Sequence, residues 1–152
     1  MYGARGKNFL LTILKLARER SELKIVNDQF GAPTWSRMIA ETTSQMLAQH
    51  YSPISRPSTS VVGMDGLYHL VSSGLTSWHG FASKIIEGIS CHISHALPKL
   101  MPIPTNDYPL PAKRPLNSSM SNEKLKHAYG LTIPSWEHSL KLCLDELVIS
   151  AV

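Results

Sequence analysis

The sequence predicts an α/β fold built on a thin sheet. Three observations carry that reading. Apolar residues recur at helical spacing through most of the 152 residues, only short β-rich runs interrupt them, and a proline-studded stretch precedes the last two helices. At 43% apolar and 17% charged residues the chain fits one domain with a real core. Two or three strands make so thin a sheet that further strands are expected to lie outside this chain.

The first helix is predicted from about Asn8 to Arg20. Phe9, Leu10, Ile13, Leu14, Leu16 and Ala17 form one broad face, and Arg18 and Arg20 place cations at the helix end. Leu23–Asn27 reads as a strand, followed by the turn Asp28–Pro33, where Gly31 gives the backbone freedom and Pro33 holds its predecessor extended. Thr34 is the predicted N-cap of a second helix reaching Gln49, with Met38, Ile39, Met46 and Leu47 on its apolar side. A Ser/Pro-rich, flexible loop follows at 51–60.

Gly66–Val71 is predicted as the second strand. Thr76 or Ser77 caps a third helix to about Ile89, with Trp78, Phe81, Ala82, Ile85, Ile86 and Ile89 facing the core. From Leu97 to Leu116, Pro98, Pro102, Pro104, Pro109, Pro111 and Pro115 forbid a helix and predict extended segments crossing a surface. A short helix begins at Ser121 and stops near Gly130. Ser135 caps the last one, where Trp136, Leu140, Cys143, Leu144 and Leu147 share a face.

Several function classes are set aside. No apolar run is long enough to span a membrane, and Met1–Gly6 lacks the apolar segment of a secretory signal, so cytoplasmic residence is the default expectation. A net charge of +4 spread along the chain, without a recognised module, does not support nucleic-acid binding. Cys91 and Cys143 read as small structural hydrophobes. His92 and His95 read as surface histidines, since no ligand partner stands at metal spacing. Gly3-Ala-Arg-Gly6 follows no strand and is a poor phosphate loop, and Ser118, Ser119 and Ser121 lack the context of a hydrolase nucleophile. Trp78 and Trp136 are assigned to the core.

Four motifs remain: Tyr2-Gly-Ala-Arg-Gly-Lys-Asn-Phe9, Asn27-Asp-Gln-Phe-Gly-Ala-Pro-Thr34, Gly66-Leu-Tyr-His-Leu-Val71 and Arg114-Pro-Leu-Asn-Ser118. In this order and spacing they resemble the second half of the dTDP-4-dehydrorhamnose reductases, which are extended short-chain dehydrogenases. The resemblance covers nearly the whole chain. It implies an α/β fold consisting of the edge of an incomplete Rossmann sheet plus a small substrate-binding domain. Residues 1–152 form one substrate-binding portion, and the NAD(P)-binding half lies outside the chain. The implied family reaction passes a hydride from NADPH or NADH to the C4 carbonyl of a dTDP-linked 6-deoxy-hexulose, giving dTDP-L-rhamnose. A tyrosine supplies the proton, and a lysine four residues later lowers its pKa.

That pair is missing here. Tyr2, Tyr51, Tyr68, Tyr108 and Tyr129 are followed at the fourth position by Gly6, Ser55, Ser72, Ala112 and Ile133, and no glycine-rich loop follows a strand. No catalytic residue, metal ligand or cofactor contact is therefore expected, and this chain alone is expected to bind no nicotinamide cofactor. The resemblance places Asn8, Gln29, Arg114 and Asn117 on the substrate side. Asn8 either offers its amide to a nucleotide diphosphate or merely caps its helix. Gln29 stands at a strand end, where α/β proteins bind ligands, while Asp28 and Thr34 are read as holding the turn and the cap. Arg114 either grips phosphate through its planar fork or pins its loop. The expected partners are a dTDP-sugar and either the other half or a second copy. The rival reading is a non-catalytic nucleotide-sugar-binding or protein-interaction module derived from such a reductase.

Overall fold

The computed structural model describes residues 1–51, 66–90, 96–109 and 111–149. Helix α1 spans Phe9–Glu19, capped by Asn8, whose side-chain oxygen accepts the Leu11 N–H. Strand β1 covers Glu22–Val26 and β2 Phe30–Gly31. Helix α2 covers Ser36–Tyr51, strand β3 Thr76–Ser77 and helix α3 Trp78–Ile89. Strand β4 covers Lys99–Ile103 and leads into a 3-10 turn at Thr105–Asp107. Helices α4 (Glu123–Tyr129) and α5 (Trp136–Ile149) complete the chain.

The α/β class is as predicted, and among the described residues the sheets are thin. β1 and β4 run parallel, with Glu22 opposite Lys99 and Val26 opposite Ile103, while β2 and β3 form a two-residue antiparallel pair. Helix α3 is the centre of the core. It packs against α1, α5 and both parallel strands, and Phe81, Ala82 and Ile85 are almost wholly enclosed. Phe81 touches Tyr2, Phe9 and Trp136, so one ring ties the N-terminal segment, α1 and α5 together. Ser77 caps α3 by accepting the Gly80 N–H. Gly130 ends α4 at φ 65°, a left-handed geometry that a side chain would strain.

The structure departs from the sequence reading at seven places. Thr34 does not cap α2: its hydroxyl donates to the Ala32 carbonyl and accepts from the Ser72 N–H, while the Trp35 carbonyl receives the first helical bond. Leu47 is exposed, and Thr42 joins the predicted Met38 on the buried side of α2. Gly66–Val71 is not a ladder strand. Side chains hold it: Asn122 bonds both the N–H and the carbonyl of Val71, and Lys124 donates to the Leu67 carbonyl.

The proline-rich stretch contains strand β4, and the prolines there do not prevent a single 3-10 turn. Pro102 is tolerated because β4 has an unpaired edge among the described residues, where its missing N–H costs no ladder bond. Phe30 and Gly31, read as turn, pair with Ser77 and Thr76. Trp78 is only half-buried, with the core beginning one turn later at Phe81. Residues 52–60, Cys91, His92 and His95 lie outside the described residues. Tyr51, placed in the loop, ends α2.

Cys143 is enclosed, consistent with a small hydrophobe. Burial, with help from the Glu146 carboxylate, pushes its thiol from 9.0 up to about 11. The folded state therefore keeps the Cys143 proton over an interval in which the unfolded chain loses it. This contribution to stability is complete below pH 9 and is lost as pH rises toward 11. Iodoacetamide at pH 8.5 is expected to spare Cys143 in folded protein and label it in urea, read by peptide mass. Equal labelling in both would place the thiol in solvent.

Candidate functional site

The carboxyl ends of parallel strands gather backbone and side-chain groups that continue no ladder, which is why α/β folds place ligands there. Here β1 and β4 end side by side, and Asp28, Gln29 and Thr105 lie just beyond them. The Asp28 carboxylate accepts from the Thr105 N–H at 3.0 Å and from its hydroxyl at 2.6 Å. These bonds hold the Asp28 carboxyl below its ordinary value. Asp28 thus ties two strand ends together across the sheet, beyond the turn-stabilising role read from the sequence.

Two cavities open at this end. The smaller, about 240 Å³, is bordered by Tyr2, Phe9, Gln29, Phe30, Gly31, Pro33, Trp78, Phe81, Arg114, Pro115 and Ser118. The larger, about 780 Å³, is a groove along α1 and β1 to the end of β4, bordered by Phe9, Ile13, Leu16, Leu23, Ile25, Ile103 and Tyr108. Phe9, Gln29, Trp78 and Arg114 border both and form the wall between them.

The Arg114 guanidinium lies over the Trp78 ring, 5.8 Å from its centroid, and Phe9 packs on the same indole at 4.8 Å. A cation over an indole face is attracted to it electrostatically, and its N–H edges stay available. Among the described residues no carboxylate pairs with Arg114, whereas Arg37, Lys84 and Lys141 each have an acidic partner. A guanidinium without a carboxylate partner beside a cavity is suited to an anion.

The four predicted substrate-side residues separate into two groups. Gln29 and Arg114 border both cavities. Asn8 borders neither; its oxygen caps α1, and its amide donates to the Gly3 and Arg5 carbonyls. Asn117 also borders neither. Its oxygen accepts from the Ser119 N–H, shaping the bend that carries Arg114 and Ser118, and its backbone bridges to Phe30. The sequence reading missed Trp78 and Thr105 at this site. Trp78 reads as part of an apolar helix face, and its indole N–H, bonded to Gln29, is what joins it to the strand ends. Thr105 carries no local signal, because its partners lie 76 and 77 residues away.

Tyr2 borders the smaller cavity but is poorly suited to donate a proton there. Burial, with a smaller contribution from Cys143, drives its phenol well above the ordinary value. A tyrosine acid beside a lysine is shifted the other way. Among the described residues, no His/Cys/Asp/Glu group is arranged to hold a metal, and no helix is long and apolar enough to cross a membrane.

Residues 1–149 match the model of the RmlD substrate binding domain. The chain belongs to that family. It is 46% identical over 151 residues to the dTDP-4-dehydrorhamnose reductase of Burkholderia thailandensis, covering 97% of this chain and 49% of that protein. The Escherichia coli K12 dTDP-4-dehydrorhamnose reductase is 40% identical over 148 residues, 97% of this chain and 47% of that protein. The crystal structure of the Bacillus anthracis dTDP-4-dehydrorhamnose reductase in complex with NADP superposes with a TM-score of 0.78 at 29% identity. That match covers 95% of this chain and 45% of the other. The RmlD-type chain thus spans about half the length of the curated relatives it matches.

Proposed function

We propose that this chain is the substrate-binding part of a dTDP-4-dehydrorhamnose reductase. It holds a dTDP-linked 4-dehydro-6-deoxy sugar while a separate nucleotide-binding half brings NADPH or NADH and the proton-donating tyrosine. The observation that carries this reading is Arg114, which lies over the Trp78 ring without a carboxylate partner among the described residues, beside a cavity at the ends of parallel strands. Its guanidinium binds the diphosphate, and Phe30, Pro33 and Trp78 supply apolar surface around it. Asn8 and Asn117 serve this site by fixing the backbone around it, through the α1 cap and the 117–119 bend.

The reactive cofactor does not fit this chain alone. Its sequence has no glycine-rich loop after a strand, and no tyrosine has a lysine four residues on. The groove along α1 and β1 is the surface on which the other half docks. Phe9 and Leu16 are only half-buried there, and β1 has one edge without a partner strand among the described residues. A two-stranded parallel sheet is marginal by itself, and parallel sheets are ordinarily covered on both faces.

Reconstitution tests this reading. The first half of the Burkholderia thailandensis reductase, co-expressed with this chain, is expected to co-purify with it and to oxidise NADPH when given the dTDP-4-dehydro sugar. Neither part is expected to do so separately. Turnover by the 152-residue chain alone would overturn the assignment.

A further inference from the structure

Gln29 is positioned to orient the anion grip. The indole N–H of Trp78 can only donate, so the Gln29 oxygen must face it, and does so at 3.2 Å. That choice turns the Gln29 NH₂ toward the Thr105 hydroxyl oxygen, at 3.1 Å. Thr105 accepts there and sends its own proton to Asp28, an acceptor-only carboxylate, at 2.6 Å. Each link pairs one donor with one acceptor, and the polarity runs in a single direction from the indole to the carboxylate. Such chains polarise one another and rigidify their members. Gln29 is buried, so neither of its bonds is readily exchanged for water.

We propose that Trp78, Gln29, Thr105 and Asp28 form a positioning relay that sets the indole plane, and through it the direction in which Arg114 presents its N–H edges. Gln29 is then a positioning residue instead of a ligand contact, and Trp78 is the platform of the anion site. The relay anchors that platform to the carboxyl ends of both parallel strands. Arg114 is exposed, and its described side-chain contact is with the Trp78 face, 5.8 Å from the ring centroid. The proposal rests on the reading that the cavity takes a nucleotide diphosphate.

Thr105→Val removes the hydroxyl with little change of shape, and Thr105→Ser restores it. The chain has three tryptophans, so a ¹⁵N spectrum resolves three indole N–H signals. In Thr105→Val the Trp78 signal is expected to move while those of Trp35 and Trp136 stay. Affinity for dTDP, titrated into the same sample, is expected to fall about three- to tenfold, the loss typical of one neutral hydrogen bond. Thr105→Ser is expected to match the unsubstituted chain in both readouts. An unmoved Trp78 signal, unchanged dTDP affinity in Thr105→Val, or an equal loss in Thr105→Ser would each overturn the relay. If the unsubstituted chain fails to bind dTDP, the substrate reading is overturned and the relay is left without a ligand to orient. That failure belongs to the substrate reading and is recognisable because the Thr105→Val indole shift persists.

Discussion

Replacing Phe81 with alanine is expected to destabilise the chain by about 3–5 kcal/mol, the range for emptying a buried phenylalanine site. Phe81 is 2% exposed, and its ring meets Tyr2 at 5.1 Å, Phe9 at 5.7 Å and Trp136 at 6.0 Å. Those rings come from the N-terminal segment, α1 and α5, so the vacancy cannot be closed by shifting one element. Aromatic pairs contribute roughly 0.5–1.5 kcal/mol beyond their buried area, and all three pairs are lost together. Natural domains are stable by only about 5–15 kcal/mol, so this one substitution removes much of the margin. A melting temperature lowered by on the order of 10 °C, or failure to fold, is the expected outcome. Phe81→Leu, which keeps most of the volume, is expected to lose clearly less. A Phe81→Ala melting temperature within 2 °C of the unsubstituted chain would show that the core is organised around another residue.

The second large effect falls on binding. Arg114→Ala is expected to weaken dTDP by roughly 10- to 100-fold, since hydrogen bonds to a charged group are worth about 1.5–3 kcal/mol. Stability should change little, because Arg114 is exposed and its described contact is the Trp78 face. Arg114→Lys keeps the charge but loses the planar fork, and is expected to fall between the two. Raising salt should weaken the unsubstituted chain more than Arg114→Ala, as an exposed ionic contact is screened. If Arg114→Ala binds dTDP as the unsubstituted chain does, the guanidinium merely pins its loop and the anion lies elsewhere.

Periodicity made most of the helical framework readable. The α1 face, the Ser77 cap with the α3 face behind it, and the Ser135-capped face of α5 all follow from 3.6-residue spacing and side-chain oxygens at helix starts. Signals that depend on distant partners were not readable. Lys99–Ile103 carries two features that argue against a strand, Pro102 within it and Pro104 just after, and only its register against Glu22–Val26 makes it one. Gly66–Val71 shows the reverse error. Its composition is that of a strand, yet its polar backbone is satisfied by the Asn122 and Lys124 side chains.

The site divides in the same way. Arg114 and Gln29 come from the motifs, and both border the two cavities. Asn8 and Asn117 belong to the same motifs but spend their oxygens on local backbone bonds. A motif preserves such residues for geometry as readily as for ligand contact. Trp78 was hidden because an aromatic residue at helical spacing is usually core. Its polar edge, bonded to Gln29, is what sets it apart.

We propose that this RmlD-type chain binds the sugar nucleotide while the nicotinamide cofactor belongs to the other half. Calorimetric titration of the purified 152-residue chain with dTDP and, separately, with NADPH tests it most directly. Saturable heat from dTDP and none from NADPH is the predicted result. Saturable NADPH binding to this chain, or no binding of dTDP, would contradict it.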